Sequence, residues 1–193
     1  MAFYTGYLTL PTDTYLAWKT AVAGNGYDAV GYYGDQCWDL VAEFWYNIGF
    51  PQGYPQTGPH QYASECWTVS REQNASYNGT TYFDLIYNLS DVKQGDVVVY
   101  SGAPGHIGFA DEDYNPAKDG FLAILGQNQG SGGVPPAIVN PAGGTTANAQ
   151  DLLTATDFLG AFRYRGWVAP PPSHTRRGRF PWVLYGRKLN QSR

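Results

Sequence analysis

Two segments in the first fifty residues carry apolar side chains at helical spacing. Residues 12–23 (TDTYLAWKTAVA) form the first segment, which a Gly-Asn-Gly turn ends. The second stripe has positions i, i+4, i+7, i+8 and i+11, which are Cys37, Val41, Phe44, Trp45 and Ile48. Asp35 suits the N-cap of this second helix, and Gly49 with Pro51 ends it. This spacing predicts two amphipathic helices.

Beyond residue 90 the pattern changes to short runs rich in β-forming residues. The predicted strands are Val97–Tyr100, Ile107–Ala110, Phe121–Gly126 and Phe158–Tyr164. Between the two halves, and over 24–34 and 129–149, the composition predicts loops, with short helical turns before residue 90. Helices followed by antiparallel-looking strands predict an α+β fold, with N-terminal helices packed on an antiparallel sheet.

The length of 193 residues suits one domain, which we place at residues 1–168. Three consecutive prolines make residues 169–175 a stiff linker, and residues 176–193 form a basic, aromatic tail. No cationic start precedes an apolar run, and no stretch of 18 apolar residues occurs. We therefore expect a protein made in the cytoplasm, without a signal peptide or a membrane span.

Charge is distributed unevenly along the chain, which has a net charge of −4. All 16 acidic residues precede position 158, whereas half of the 12 Lys and Arg residues lie within 176–193. A basic tail on an acidic body predicts attachment to an anionic partner, such as teichoic acid, an acidic protein or, as the least expected choice, nucleic acid. The alternative is a solvated terminus without a partner.

A cysteine and a histidine lie in sequence contexts suited to catalysis. Cys37 begins the second predicted helix, where the helix dipole lowers the pKa of a thiol. His106 follows a Gly-Ala-Pro-Gly turn at the start of a predicted strand and could act as general base and acid. Two cysteines do not make a disulfide framework, and a catalytic Cys37 requires free thiols. This layout is typical of papain-like cysteine hydrolases.

Three motifs resemble the CHAP domain, the cysteine- and histidine-dependent amidohydrolase/peptidase of bacteriophages and bacteria. They are QCWDL, KQGDVVVY followed by GHIGFA, and LGQNQG, and the resemblance covers roughly residues 12–168. It implies a papain-like fold, a peptidoglycan substrate, Cys37 as nucleophile and His106 as base. Where the family has Glu-Gln-Asn, this chain has Gly126, Gln127 and Asn128. The resemblance therefore implies that Asn128 orients the histidine, but it leaves the family's glutamate without a counterpart.

Loss of that glutamate leaves a Cys-His-Asn arrangement, which is enough in papain-like enzymes. Asp111, Glu112 or Asp113, just after the His106 strand, are candidates to supply the missing charge. The predicted reaction is thiolate attack on an amide, with backbone N–H groups and the Gln36 side chain holding the oxyanion.

Some CHAP domains of phage lysins bind calcium just before the nucleophile, in a pattern like D-x-D-G-x-Y-x-x-x-C-x-D. Asp28, Tyr32 and Asp39 match it, while the second aspartate is replaced by Val30. The resemblance thus implies a possible calcium site weakened by one lost carboxylate, since calcium takes six to eight oxygens. Plain loop and cap aspartates are the alternative.

The remaining cysteine and histidines are not expected to take part. Cys66 fits no motif and is expected in the core, and His60 and His174 are expected at the surface without zinc-ligand spacing. The leading hypothesis is a phage endolysin or virion-associated lysin that acts at the bacterial cell wall, after holin release or from the virion. Its tail, 176–193, would then dock on a virion or tail protein. The alternatives are a non-catalytic virion protein on a decayed CHAP scaffold and, less favoured, an intracellular cysteine protease.

Overall fold

The computed structural model describes residues 3–29, 37–102, 105–118, 122–127, 140–141 and 157–167. Its helices are α1 (Tyr15–Val22), α2 (Cys37–Asn47), α3 (Glu65–Thr68) and α4 (Arg71–Ala75). Its strands are β1 (Phe3–Thr5), β2 (Gly26–Asp28), β3 (Ser76–Tyr77), β4 (Thr80–Thr81), β5 (Phe83–Ile86), β6 (Val97–Tyr100), β7 (His106–Ala110), β8 (Ile124–Gly126), β9 (Asn140–Pro141) and β10 (Phe158–Tyr164). Short 3-10 turns occupy Leu89–Asp91 and Pro116–Lys118. Gln36, Tyr32, Asn128, Asp35, the linker and the tail lie outside the described residues.

Both predicted helices form. The Thr14 side chain accepts the N–H of Ala17 at 3.1 Å and caps α1, so this helix begins three residues later than the apolar pattern alone indicates. Helix α2 begins at Cys37, and four of its five stripe residues are buried; the fifth, Cys37 itself, is half-buried. Burial of the stripe confirms that α2 packs its apolar face inward.

The main sheet has six strands in the order β5-β10-β6-β7-β8-β9. Every neighbouring pair within it runs antiparallel. Strands β6 and β10 have the predicted bounds, β7 begins one residue earlier, and β8 begins three residues later than predicted. The prediction of an α+β fold with helices on an antiparallel sheet is confirmed.

The sheet is buried on both faces, because side chains alternate along each strand. One face carries Val97, Val99, Ile107, Phe109 and Phe162, which pack against α1, α2 and α3. The other face carries Val98, Tyr100 and Ala161, covered by residues of the loops, among them Val92 and Leu122. Helix α2 therefore lies directly on the middle of the sheet, and its first residue is fixed relative to strand β7.

Six strands were not predicted. Strand β5 lies in a segment that was predicted to be loop with helical turns, and it pairs with β10 at the edge of the main sheet. Strands β1 and β2 form a separate parallel pair, and β3 with β4 a small hairpin. Strand β9 lies within the predicted loop 129–149. These strands have two to four residues each, too short for an alternating pattern to stand out.

Within the described ranges, no helix combines the length and the apolar character needed to cross a bilayer.

Candidate active site

The Cys37 thiol lies where the first turn of α2 meets the start of β7. The backbone N–H groups of Ile107 and Trp38 lie close enough to its sulfur to lower the pKa of the thiol. The Ile107 nitrogen belongs to the peptide that joins His106 to Ile107, so the backbone of the predicted base lies beside the thiol. The fold thus brings together two residues that are almost seventy positions apart in the sequence.

The pKa of this thiol is shifted in the direction opposite to the predicted one. Burial raises the pKa of Cys37 to about 11, and the Asp39 carboxylate adds to that rise. The N–H groups of Ile107, Trp38 and Cys37 act in the opposite sense but are outweighed. The prediction of a lowered pKa is therefore wrong for this structure, because desolvation exceeds the effect of the helix terminus. The resting form of Cys37 is a neutral thiol.

His106 is placed by a turn that needs glycine. Gly102 and Gly105 have φ angles of +124° and +78°, a region that other residues rarely adopt. A Cβ at Gly105 would also lie 2.7 Å from the carbonyl oxygen of Tyr100 and 2.8 Å from the Cβ of Ser64. The Ser64 hydroxyl donates to the Gly102 carbonyl at 3.1 Å, which ties this turn to the start of α3. The turn therefore fixes His106, which is 6% exposed, opposite Tyr100.

Gln127 has a structural role that the sequence did not reveal. It is fully buried, and its amide makes two hydrogen bonds with the backbone of Tyr27: Tyr27 N–H donates to Oε1 at 2.8 Å and Nε2 donates to the Tyr27 carbonyl at 2.6 Å. It thus joins the end of β8 to β2, which leads toward Cys37 in the chain. The neighbouring Asn128, the predicted orienting residue, lies outside the described residues, and its role stays a prediction.

The three carboxylates that follow β7 do not supply the missing charge. They lie at the far end of the strand from His106, and each already has a partner. Asp111 accepts from Tyr15 at 2.9 Å and Lys19 at 2.6 Å.

Asp113 pairs with Lys93 at 3.1 Å, and Glu112 accepts the N–H of Ala123 at 3.2 Å. The suggestion that Asp111, Glu112 or Asp113 stands in for the glutamate is therefore wrong. They close the open end of the β6–β7 hairpin.

The predicted calcium ligands are only partly described. Asp39 is 1% exposed, and its Oδ1 accepts the N–H of Ala29 at 3.0 Å; Asp28 is half-buried at the end of β2. Two carboxylates supply fewer oxygens than calcium requires. Among the described residues, no group of three or more His, Cys, Asp or Glu is arranged to hold a metal ion. Since Tyr32 lies outside these ranges, the calcium site stays a prediction.

The other cysteine and histidine follow the predictions within the described residues. Cys66 is completely buried in the core, and both cysteines are free thiols. His60 is exposed, as expected, but its ring is not free. Its Nδ1 lies 2.7 Å from the Oε1 of Glu65, a nearly buried carboxylate that nothing in the sequence pattern singled out.

No protein-family model matches the chain. The chain is 30% identical over 159 residues to a protein named D-alanyl-L-alanine endopeptidase from Streptococcus phage B30. That alignment covers 76% of this chain and 33% of the relative, so the chain spans about a third of the relative's length.

Among solved structures, the crystal structure of a wild type endolysin, LysIME-EF1, is similar with a TM-score of 0.52 and 22% identity. The match covers 80% of this chain and 64% of that one. At this identity the similarity concerns the fold, and it agrees with the α+β architecture described above.

Proposed function

We propose that this chain is a phage peptidoglycan hydrolase of the CHAP type, which cleaves a peptide bond of the bacterial cell wall through the Cys37 thiol. The observation that carries the proposal is the placement of Cys37 at the first turn of α2, against the peptide that joins His106 to Ile107. The relative from Streptococcus phage B30, named as an endopeptidase, and the fold shared with an endolysin support it.

In the proposed reaction, His106 removes the proton from Cys37 when the substrate is bound. The neutral resting thiol makes this step necessary, because a thiol with a pKa near 11 carries little thiolate at neutral pH. The N–H groups of Ile107 and Trp38, which lower the pKa of the thiol, stabilise the thiolate as it forms. Its sulfur attacks the carbonyl carbon, and the charge on the carbonyl oxygen is held by N–H groups at the start of α2 with the Gln36 side chain.

His106 then gives its proton to the leaving amine, and the C–N bond breaks to leave a thioester on Cys37. Water, activated by the same imidazole, hydrolyses the thioester and restores the thiol. Asn128 keeps the ring aligned, as in other Cys-His-Asn enzymes. The name of the phage relative favours the D-alanyl-L-alanine bond as the one cleaved, with the amide at muramic acid as the competing choice.

Digestion of purified Gram-positive peptidoglycan, with products identified by mass spectrometry, tests the proposal. Wild type and Cys66→Ala should release the same fragments, whereas Cys37→Ala should release none. A new carboxyl terminus on D-alanine would identify an endopeptidase, and a free lactyl carboxyl group an amidase, because both reactions release an alanine amino terminus. Adding a calcium chelator to the wild-type reaction tests the predicted ion: a loss of rate that calcium restores would support a site that includes Asp28 and Asp39.

A non-catalytic virion protein on a decayed CHAP scaffold is the second candidate, favoured by the raised pKa of Cys37 and by Gly126 at the glutamate position. It requires that no wall preparation is cleaved and that Cys37→Ala alters particle assembly or adsorption instead.

In either case we propose that residues 176–193 form a docking segment, for a virion protein or for the bacterial cell wall. Replacing its arginines with glutamine should weaken co-sedimentation of the protein with its partner. Parallel experiments with phage particles and with bacterial cell walls distinguish the two candidate partners.

A further inference from the structure

The segment 55–65 links the surroundings of both candidate catalytic residues. Near its start, the Pro55 carbonyl accepts the indole N–H of Trp38, the residue after Cys37, at 2.8 Å. Near its end, the Ser64 hydroxyl bonds to the Gly102 carbonyl in the turn that precedes His106. The segment therefore contacts the residue after Cys37 at one end and the turn before His106 at the other, and we call it the side wall of the proposed site.

Further hydrogen bonds hold this wall in place. The Gln56 backbone exchanges two bonds with the side chain of Asn74, at 2.6 and 2.8 Å, and the Thr57 carbonyl accepts from the Ser70 hydroxyl at 3.1 Å. Asn74 is completely buried and also donates to the Cys66 carbonyl at 2.9 Å. A side chain on such a segment is presented in a fixed position, which lowers the entropy that binding costs.

His60 is an exposed side chain of this wall that is held by two neighbours, Tyr62 and Glu65. Its ring stacks on Tyr62, with centroids 5.4 Å apart, and 66% of its side chain is exposed. The Glu65 side chain is 9% exposed and lies beneath the loop, where a Cβ at Gly58 would come within 2.8 Å of its Cδ. The loop is thus closed over a buried carboxylate that holds an exposed imidazole by one nitrogen.

The direction of this hydrogen bond follows from the charge on Glu65. Burial alone would raise the pKa of this carboxyl, but the His60 ring and the N–H groups of Tyr62 and His60 outweigh burial and lower it. An ionised carboxylate can only accept, so the Nδ1 of His60 carries the hydrogen. In the neutral ring, Nε2 is then the acceptor that remains on a side chain that is 66% exposed.

From this arrangement we infer that His60 is a specificity-determining residue. Its Nε2 accepts a peptide N–H of the bacterial cell-wall peptide that binds beside Cys37. Glu65 is the positioning residue that fixes the acceptor. This inference rests on the proposed function for the identity of the substrate. It adds a contact outside the predicted set of Cys37, His106, Asn128 and Gln36.

The test uses a soluble stem-peptide fragment, prepared from Gram-positive peptidoglycan with a muramidase, and the full chain. His60→Ala should raise KM for this fragment roughly threefold to tenfold, the loss of one hydrogen bond, and leave kcat unchanged. Glu65→Gln should raise KM similarly, because its amide would donate to Nδ1 and turn Nε2 into a donor. Gln73→Ala, at an exposed position on α4, is the matched control and should behave as wild type.

The double variant separates positioning from a general structural effect. If Glu65 acts through His60, the KM of His60→Ala with Glu65→Gln should equal that of His60→Ala alone. An unchanged KM in His60→Ala, or effects of the two substitutions that add, would overturn the inference while wild-type hydrolysis upholds the proposed function.

Calorimetry decides the case in which the wild type cleaves nothing. The fragment should bind Cys37→Ala more tightly than Cys37→Ala with His60→Ala, by the same roughly threefold to tenfold. Equal binding, or no binding to either, would overturn the inference.

Discussion

The two ends of the β6–β7 hairpin are held by different kinds of interaction. At the open end, where β6 begins and β7 finishes, charged side chains meet partners: Asp96 binds Arg163, and Asp111 binds Lys19 and Tyr15. At the turn end, glycines with positive φ and the Ser64 hydroxyl fix the backbone beside His106 and the Cys37 thiol.

The difference separates residues that hold the fold from residues available for chemistry. A carboxylate that is already paired with a cation contributes to stability and has little freedom to assist a reaction at the other end of a five-residue strand. The Gly95-Asp96 pair of the KQGDVVVY motif belongs to the first group. Gly95 has a φ of +92°, and a Cβ there would lie 3.1 Å from the indole nitrogen of Trp167. We therefore expect substitutions at the two ends to affect different measurements.

The largest effect is expected at the turn end. His106→Ala should reduce the rate of peptidoglycan hydrolysis roughly a thousandfold, because the substitution removes the proposed general base and acid together. Circular dichroism should show that the variant remains folded. Asp111→Asn is the matched control at the open end and should lower the melting temperature with kcat retained. The comparison would break down if Asp111→Asn lost as much activity as His106→Ala.

At the open end, Asp96→Asn should lower the free energy of unfolding by about 2–4 kcal/mol. Asp96 is 2% exposed in its side chain and accepts from Arg163 at 2.9 and 2.7 Å and from the Lys93 N–H at 2.8 Å. Asparagine keeps one acceptor and leaves the guanidinium without its counter-charge.

Asp84→Asn provides the control for this prediction, because the Asp84–Arg165 pair is half exposed on both sides. Its loss should cost less than about 1 kcal/mol. Urea denaturation of both variants measures the difference. Equal losses would show that burial of the Asp96 pair carries no particular weight.

A smaller loss of stability is expected from Gln127→Ala, which removes both hydrogen bonds to Tyr27. The free energy of unfolding should fall by about 1–3 kcal/mol. The Gln94 side chain is exposed and donates to the Asp111 carbonyl, so Gln94→Ala should cost less than about 0.5 kcal/mol. If Gln127→Ala matches this control in denaturation experiments, the link between β8 and β2 is not a stabilising one.

The smallest effect concerns a carboxyl that belongs to neither end. Glu43 of α2 is completely buried; one oxygen accepts the Leu8 N–H at 3.1 Å, and the other has no partner within the described part of the chain. Burial raises the pKa of Glu43 from its ordinary 4.5 to about 7, an effect that the Leu8 N–H only partly offsets.

Because the folded state keeps this proton to a higher pH than the unfolded state, stability should fall as pH rises from about 4.5 to about 7 and then level off. Glu43→Gln should remove this dependence and be more stable than wild type at pH 8, by about 1 kcal/mol. Melting temperatures between pH 4 and 8 would measure it. A wild-type curve that rises across this window would contradict the assignment.

Much of the fold could be predicted because many of its elements depend on local sequence patterns. The stripe of α2 and the β-forming runs of β6, β7 and β10 give their elements within one residue. The elements that were missed depend on distant partners instead. Strand β2 is three residues long and pairs with β1 more than twenty positions away. The Gln127–Tyr27 bonds join residues 100 positions apart, for which no sequence spacing gives a signal.

The candidate site shows the same division. The positions of Cys37 and His106 followed from a helix start and a glycine turn, both local features. The direction of the thiol pKa did not, because it depends on how much protein surrounds the sulfur once the chain has folded. The pairing of His60 with Glu65 also escaped prediction, since a spacing of five residues in a loop has no regular geometry.

The most direct test of the central claim is to trap the covalent intermediate. Wild type mixed with the soluble stem-peptide fragment and quenched in acid within milliseconds should show, by intact mass and peptide mapping, an acyl group on Cys37. Cys66→Ala should give the same adduct. An adduct on Cys66, or full hydrolysis of the fragment by Cys37→Ala, would contradict the account.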